Sequence, residues 1–481
     1  MRTGMRWKLS LPLALALIAT FALASWARSI EELIDLAERD ALPEVRAAAG
    51  LALGRLLVES PFTDAELEAL AVTGRSPELR GAAGEALRER LLVAGLSLEE
   101  LEALACGPTP ELRTAAIPAL VQATVAAVGR GELSLSGLAE AVAMGATSEL
   151  RLARARALFL LLRAELASPE AQALVEAVLR GQRVEVRGVE LNGEFAEIRA
   201  AASELLAGIY KSYGLLGRLQ DPLSELMAVA TDASLTPEFR AAAGAALEFI
   251  FLAERERALA ALQEFEALLG ALLEQAQAQQ FDQAGQTLAL LRGLLERERA
   301  NLILTAEVGG EFTAAQRLEN VARNLEKARA ALALGDLAGL RGAITAIKRD
   351  LQVVERGVVR APDLPLEALM DWASAGKTPE LRRAAGAALG ERLVRAGLSY
   401  ERLLELTITG PSAEFRAGAG KALSAKLVEM GLSEVELLRL IAQYTWAFGP
   451  RAGTSQEVGE ALSHALAELW LAEVAGQGVE P

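Results

Sequence analysis

The sequence predicts an all-α fold, and three observations carry that prediction. Of 481 residues, 52% are hydrophobic but only 4% aromatic, and proline is scarce at 16, so alanine and leucine must fill a helical interior. The stretch "SPELRGAAGEALRERLLVAGLSLEELEAL", Ser76 to Leu104, returns as "TPELRRAAGAALGERLVRAGLSYERLLEL", Thr378 to Leu406, with 19 of 29 letters unchanged. The same motif also recurs at a nearly constant spacing, as it does in chains built from stacked helix pairs.

The first 24 residues stand apart. Arg2, Arg6 and Lys8 precede the apolar run Leu9 to Ala24, and Ala22-Leu23-Ala24 supplies a small-x-small cleavage site, with Ser25-Trp26-Ala27 as a second option. This reads as a secretory signal peptide over residues 1–24. The competing reading is a retained anchor, although the 16-residue run falls short of the roughly 20 that span a bilayer. Past it no uninterrupted apolar run of spanning length occurs, so no stable transmembrane segment is expected after cleavage. Export to the periplasm, cell envelope or exterior follows from the leader.

The repeats begin just after. Aligned on the arginine of "PELR", copies sit at Arg46, Arg80, Arg113, Arg151, Arg199, Arg240, Arg382 and Arg416, and a worn ninth copy at "SQEVGEALSHAL", Ser455 to Leu466. The first three arginines are 34 and 33 residues apart, and Arg382 and Arg416 are 34 apart. Each copy reads as the second helix of a pair: a hydroxyl cap, proline at the first helical position and glutamate in the first turn, as in Thr109-Pro110-Glu111 and Thr236-Pro237-Glu238. The first helix of the next pair opens on a capping box, as in Ser29-x-x-Glu32, Thr63-x-x-Glu66, Ser97-x-x-Glu100 and Ser433-x-x-Glu436. "AGLS" between them joins a glycine C-cap to a serine N-cap. A glycine recurs inside the second helix (Gly50, Gly84, Gly244, Gly386, Gly420), where it costs about 1 kcal/mol against alanine unless a neighbouring helix comes close.

Three interruptions break the period. The largest, residues 253–360, holds four helical segments with 3-4 apolar spacing, such as Phe281-Ala284-Leu288-Leu291-Leu295 and Ala314-Leu318-Val321-Leu325-Ala328-Leu332. Narrow seams of this kind predict an antiparallel coiled coil or four-helix bundle. The bundle is read as a rigid spacer, with a dimerisation arm and a ligand pocket as the competing roles. The second break, "VEVRGVEL" within Gly181 to Arg199, alternates around Arg187-Gly188 and admits either a β-hairpin or an irregular loop. The third, "QYTWAFGPRAGTS", places Tyr444, Trp446, Phe448 and Arg451 together in an array short of aromatics. They are either an exposed contact patch for a partner or the plug of a terminal capping repeat. The organisation expected is therefore a leader, N-terminal repeats over 25–252, the bundle over 253–360, C-terminal repeats with a capping repeat over 361–475, and a tail over 476–481.

Charge and rare residues remove several functions. Net charge is −15, and loss of the leader takes it to −18, which repels phosphate backbones and argues against nucleic acid as a partner. A lone cysteine, Cys106, permits no internal disulfide and by its place in "LEALACG" is expected to end a helix as a small buried residue. With one cysteine and His464 as the single histidine, most zinc sites, Ser-His-Asp triads and Cys-His pairs are excluded by arithmetic. The isolated "GQG" and "VGG" do not follow a strand into a helix, so phosphate loops fail too. No catalytic, cofactor-binding or metal residues are expected.

"PEVRAAAGLALGRLL", Pro43 to Leu57, resembles the second helix of a HEAT repeat, particularly the short variety also found in phycobilisome-lyase-like proteins. The resemblance covers roughly residues 29–250 and 363–470. It implies an α-solenoid of helical hairpins, here interrupted by the inserted bundle, that acts as a protein-binding scaffold. It also implies that the eight arginines tie adjacent repeats together; an anion-binding row is the alternative. Taken together these readings give an exported, non-catalytic scaffold of the bacterial cell envelope with a protein partner, and a homo-oligomer formed through the bundle as a variant. The alternatives are a small-molecule or metal-ion binder with its site in the bundle, and a lyase-type enzyme built on the repeats.

Overall fold

A computed structural model describes residues 29–165, 168–186, 188–212, 222–448 and 456–476. The predicted leader over 1–24 and Arg451 lie outside them, as do the side chains of Trp446 and Phe448. The fold is all-α. Its helices are α1 (Ile30–Arg39), α2 (Pro43–Leu56), α3 (Asp64–Thr73), α4 (Pro77–Leu91), α5 (Leu98–Ala105), α6 (Pro110–Gly129), α7 (Leu135–Met144), α8 (Ser148–Glu165), α9 (Ser168–Leu179) and α10 (Ala196–Ser212). They continue as α11 (Pro222–Thr231), α12 (Pro237–Phe251), α13 (Arg255–Gln277), α14 (Phe281–Val308), α15 (Ala314–Ala333) and α16 (Leu337–Arg360). The last are α17 (Leu366–Ala375), α18 (Pro379–Arg395), α19 (Tyr400–Thr409), α20 (Ala413–Glu429), α21 (Glu434–Phe448) and α22 (Gln456–Gly476).

The helix boundaries follow the local chemistry. Ser29, Thr63 and Ser97 form complete capping boxes with Glu32, Glu66 and Glu100, and Ser433 and Glu436 exchange the same pair of bonds. Ser76, Thr109, Thr236 and Ser412 accept from the third amide of their helices. Gly95 and Gly397 of the "AGLS" turns sit at φ +67° and +64°, the left-handed conformation that ends a helix at little cost only for glycine.

Between α9 and α10 the alternating stretch is a hairpin. β1 (Arg183–Val186) pairs antiparallel with β2 (Val189–Asn192), with Val184 opposite Leu191 and Val186 opposite Val189. Val189 and Leu191 are buried, so the period-2 pattern wins over a loop because one face has a core to cover.

The chain divides into two compact units: one is Leu206–Ala388, and the other combines the residues before and after it. In the second of these, the first helix of each pair lies on its own second helix: α1 on α2, α3 on α4, α5 on α6, α7 on α8, α19 on α20 and α21 on α22. The second helices stand side by side as a row, α20, α22, α2, α4, α6, α8. A capping repeat would have one side open to water; α22 instead has a neighbour on each side, α20 and α2. Trp470 of α22 is fully buried, and its indole N–H donates to Glu434 of α21. α6 is long and apolar enough to cross a membrane by length and composition, yet it lies within the row with Leu112, Ala116 and Leu120 buried.

In the unit Leu206–Ala388, α13 to α16 form a four-helix bundle around Phe265, Leu269, Leu291, Leu318, Leu325, Ile347 and Val354. Consecutive helices joined by such short turns run antiparallel. The chain then returns to where it left the repeats. Thr378 donates its hydroxyl to the Ala230 carbonyl at 2.7 Å, Arg240 pairs with Glu380 at 3.2 Å, and Phe251 stacks on Trp372 at 5.0 Å. The bundle is thus spliced between two repeats that remain neighbours, which is why one motif is spelled twice so far apart.

Candidate functional site

The residues that recur most, the eight arginines, form one device repeated along the chain. The guanidinia of Arg46, Arg80, Arg113, Arg151, Arg240 and Arg416 reach in two directions. One arm goes back to the carbonyl that ends the preceding helix: Arg80 Nη1 donates to Gly74 O at 3.0 Å, Arg113 to Gly107 O at 3.2 Å, Arg151 to Gly145 O at 3.0 Å and Arg416 to Gly410 O at 3.2 Å. Arg199 reaches Gly193, just past β2, and Arg240 reaches Leu235, in the turn after α11, while Arg46 and Arg382 make the same bond as the first four, to the helix-ending carbonyls of Asp40 and Gly376. A cation there meets the negative end of a helix. The other arm goes forward to the first-turn glutamate of the next repeat, which sits at a positive helix end. Arg46 meets Glu78 at 3.6 Å, Arg80 meets Glu111 at 3.2 Å, Arg113 meets Glu149 at 3.0 Å, Arg151 meets Glu197 at 2.5 Å and Arg416 meets Glu457 at 2.9 Å.

This geometry favours a structural ladder over an anion-binding row, because the forward arms point at carboxylates of the same protein. The rungs are mostly buried, Arg240–Glu380 most of all at 14% and 10% side-chain exposure. Several are single bonds: the second carboxylate oxygens of Glu78, Glu111, Glu380 and Glu457 are buried without a hydrogen-bond partner among the described residues.

The mid-helix glycines serve the same junctions. A Cβ built on Gly50, Gly84, Gly244 or Gly420 would lie 3.0–3.2 Å from the carbonyl oxygen of Glu78, Glu111, Glu380 or Glu457 respectively. Those oxygens are backbone and cannot swing away. Gly84→Ala is therefore expected to destabilise by about 1–2 kcal/mol despite its better helix propensity, read as a lower urea midpoint with an unchanged m-value.

Two further ties escaped the sequence reading. Thr109 and Thr147 donate to Ala71 O and Ala105 O of the preceding repeat at 3.0 and 2.8 Å while also accepting from their own helices. Arg154 reaches back from α8 to Glu102 on α5 at 2.5 Å. Nothing in the local letters distinguishes a threonine that only caps from one that also bridges.

The bundle holds a polar cluster where only apolar seams were expected. Glu298 is 6% exposed and takes two bonds from Arg257, at 2.8 and 3.2 Å, and one from Arg297 at 3.0 Å. Asn301, also buried, exchanges bonds with the Glu254 backbone and accepts from Thr305. The signal was present: Glu298, Asn301 and Thr305 continue the register of Leu291 and Leu295. On α16, Asp350 is 2% exposed and pairs with Arg317 at 3.2 Å. Arg317 Nε stays buried without a hydrogen-bond partner among the described residues. Burial alone pushes the Glu307 carboxyl upward.

Ladder and cluster share a pH response. In Glu149, Glu197 and Glu298 burial raises the carboxyl pKa, but hydrogen bonds from Arg113, from Arg151 and from Arg257 with Arg297 outweigh it and hold each below the usual range. Glu149 and Glu197 are helped by backbone amides of their own helix ends. A carboxyl depressed in the folded state contributes stability that is complete above its unfolded value, about 4.3, and is lost as pH falls through the folded value. Denaturation midpoints are expected to hold steady from pH 7 to 5 and fall steeply below 4, with a shallower fall in Glu298→Gln.

The remaining singled-out residues sit as follows. Tyr444 is half-buried, and burial together with a hydrogen bond to Tyr444 pushes the Tyr400 hydroxyl upward. Cys106 ends α5 as expected but is exposed, because Ala105 takes the buried slot beside it. His464 is exposed and lines a groove of about 610 Å³ between α20 and α22 with Lys421, Ser424, Glu460 and Glu468. At the bundle tip Phe281, Leu288, Arg292, Arg329 and Leu334 line a second depression of about 760 Å³. Among the described residues no three His, Cys, Asp or Glu side chains are grouped so as to hold a metal ion. No protein-family model matches the chain, and no curated protein matches it at a significant level.

Proposed function

We propose that this protein is an exported, non-catalytic scaffold of the bacterial cell envelope, a HEAT-like α-solenoid with an inserted bundle that holds a protein partner. The observation that carries the reading is the ladder. Its arginines and glutamates are consumed in joining repeats, so the recurring letters hold a frame together and leave the exposed faces of the second helices free to vary with the partner. The leader and the acidic balance of −15 supply the compartment and set nucleic acid aside. Fractionation of cells making the full chain, with N-terminal sequencing of the product, tests export: a mature protein beginning after Ala24 supports it, and an unprocessed cytoplasmic chain removes it. Affinity capture from envelope extract tests the scaffold role. A single stoichiometric partner, released by charge reversals on the second-helix faces but not by changes at the bundle tip, supports it. Turnover of a metabolite by the purified protein would replace it.

A further inference from the structure

The row in the combined unit has one junction unlike the rest. Elsewhere successive second helices are joined by an arginine rung, by a glycine that admits the next backbone, or by a hydroxyl cap reaching the preceding repeat. At the junction of α22 with α2 all three are missing. Gly459 occupies the arginine position of the ninth copy, two residues after Glu457, so Glu44 receives no arginine rung and only packs its side chain against Gly459, Cγ lying 3.2 Å from where a Cβ there would stand. Four residues on, at the position held by Gly50, Gly84, Gly244, Gly386 and Gly420 in their copies, stands Ser463, its hydroxyl turned to Gly459 O of its own helix at 2.8 Å. The N-cap of α2 is Leu42, which makes no side-chain cap bond. The junction does carry Arg55–Glu468 at 2.7 Å, but Arg55 is 59% exposed, where an ion pair contributes little.

We propose that the α22–α2 junction is a gate: the row parts and reseals there while its other junctions stay shut. The two sides stay on one chain when the junction parts, because residues 206–388 run between them in sequence. α22 also keeps its rung to α20 through Arg416–Glu457 when it leaves α2, so the opening separates two intact repeats and is not the fraying of a terminal helix.

Spin labels on the full chain, in a Cys106→Ser background, test the gate by pulsed distance measurement. One pair, Leu51→Cys with His464→Cys, spans the junction; a second, Leu51→Cys with Glu85→Cys, spans the adjacent laddered one. All three sites are exposed. The expected result is two distances for the first pair and one for the second. Gly459→Arg restores the missing guanidinium and is expected to shrink the longer-distance fraction about fivefold. Arg55→Ala is expected to enlarge it, which keeps the test decisive if Gly459→Arg does not fold. A single short distance for both pairs, or a longer fraction indifferent to both substitutions, overturns the gate.

Discussion

Gly309→Ala is expected to unfold the bundle, lowering stability by about 3 kcal/mol or more, with Gly357→Ala close behind. The two glycines mark the point where the end of α14 crosses α16. A Cβ on Gly309 would fall inside the van der Waals surface of the Gly357 carbonyl oxygen, and one on Gly357 would lie 2.6 Å from Glu311 Cβ and 2.7 Å from the Ala306 carbonyl oxygen. Main-chain atoms supply two of these three contacts, so no rotamer change relieves them. Thermal melts followed by circular dichroism should lose helix in an early phase that the parent lacks. By contrast Gly270→Ala and Gly342→Ala in the same bundle, where a Cβ meets nothing within 4 Å, are expected to stabilise slightly.

Arg240→Ala carries the second large effect, about 2–3 kcal/mol. Its rung is the most buried of those shown, and truncation leaves Glu380, one of whose oxygens already lacks a hydrogen-bond partner among the described residues, without its arginine. The adjacent splice makes the loss costly, since Thr378–Ala230 and Phe251–Trp372 depend on the same approach. Glu380→Gln should cost less than Arg240→Ala, because a neutral amide needs no counter-charge, and the double variant should cost less than the sum. A denaturant-based double-mutant cycle reads that coupling, and additive losses would show that the rung contributes nothing of its own.

Much of this was legible in the letters, for identifiable reasons. Helix starts were readable because Ser29, Thr63 and Ser97 carry their glutamate partners three residues away, within one turn. The junctions were readable because Arg80 and Arg113 repeat with their surroundings, so α4 and α6 had to be equivalent and adjacent. The bundle was readable from 3-4 spacing alone. What the letters hid depends on pairings across long stretches of chain. No local signal places Gly459 beside Glu44, and Thr109 reads as an ordinary cap until Ala71 is found above it. Cys106 was misread because apolar character predicts burial, whereas the turn ending α5 had one buried place and Ala105 filled it. Glu298 and Asn301 were missed by attending to which seam positions were apolar and not to which had stopped being so.

The order of the row, with α22 standing between α20 and α2, bears on how the protein is made. α2 waits for a helix encoded some 400 residues later before its flank is covered, and closing so long a span is slow. Until then α2 presents an unclaimed apolar edge to whatever is nearby, the condition under which chaperones are recruited. A circular permutant in which the segment carrying α21 and α22 precedes α1 would synthesise α22 before α2, and should refold faster at unchanged equilibrium stability.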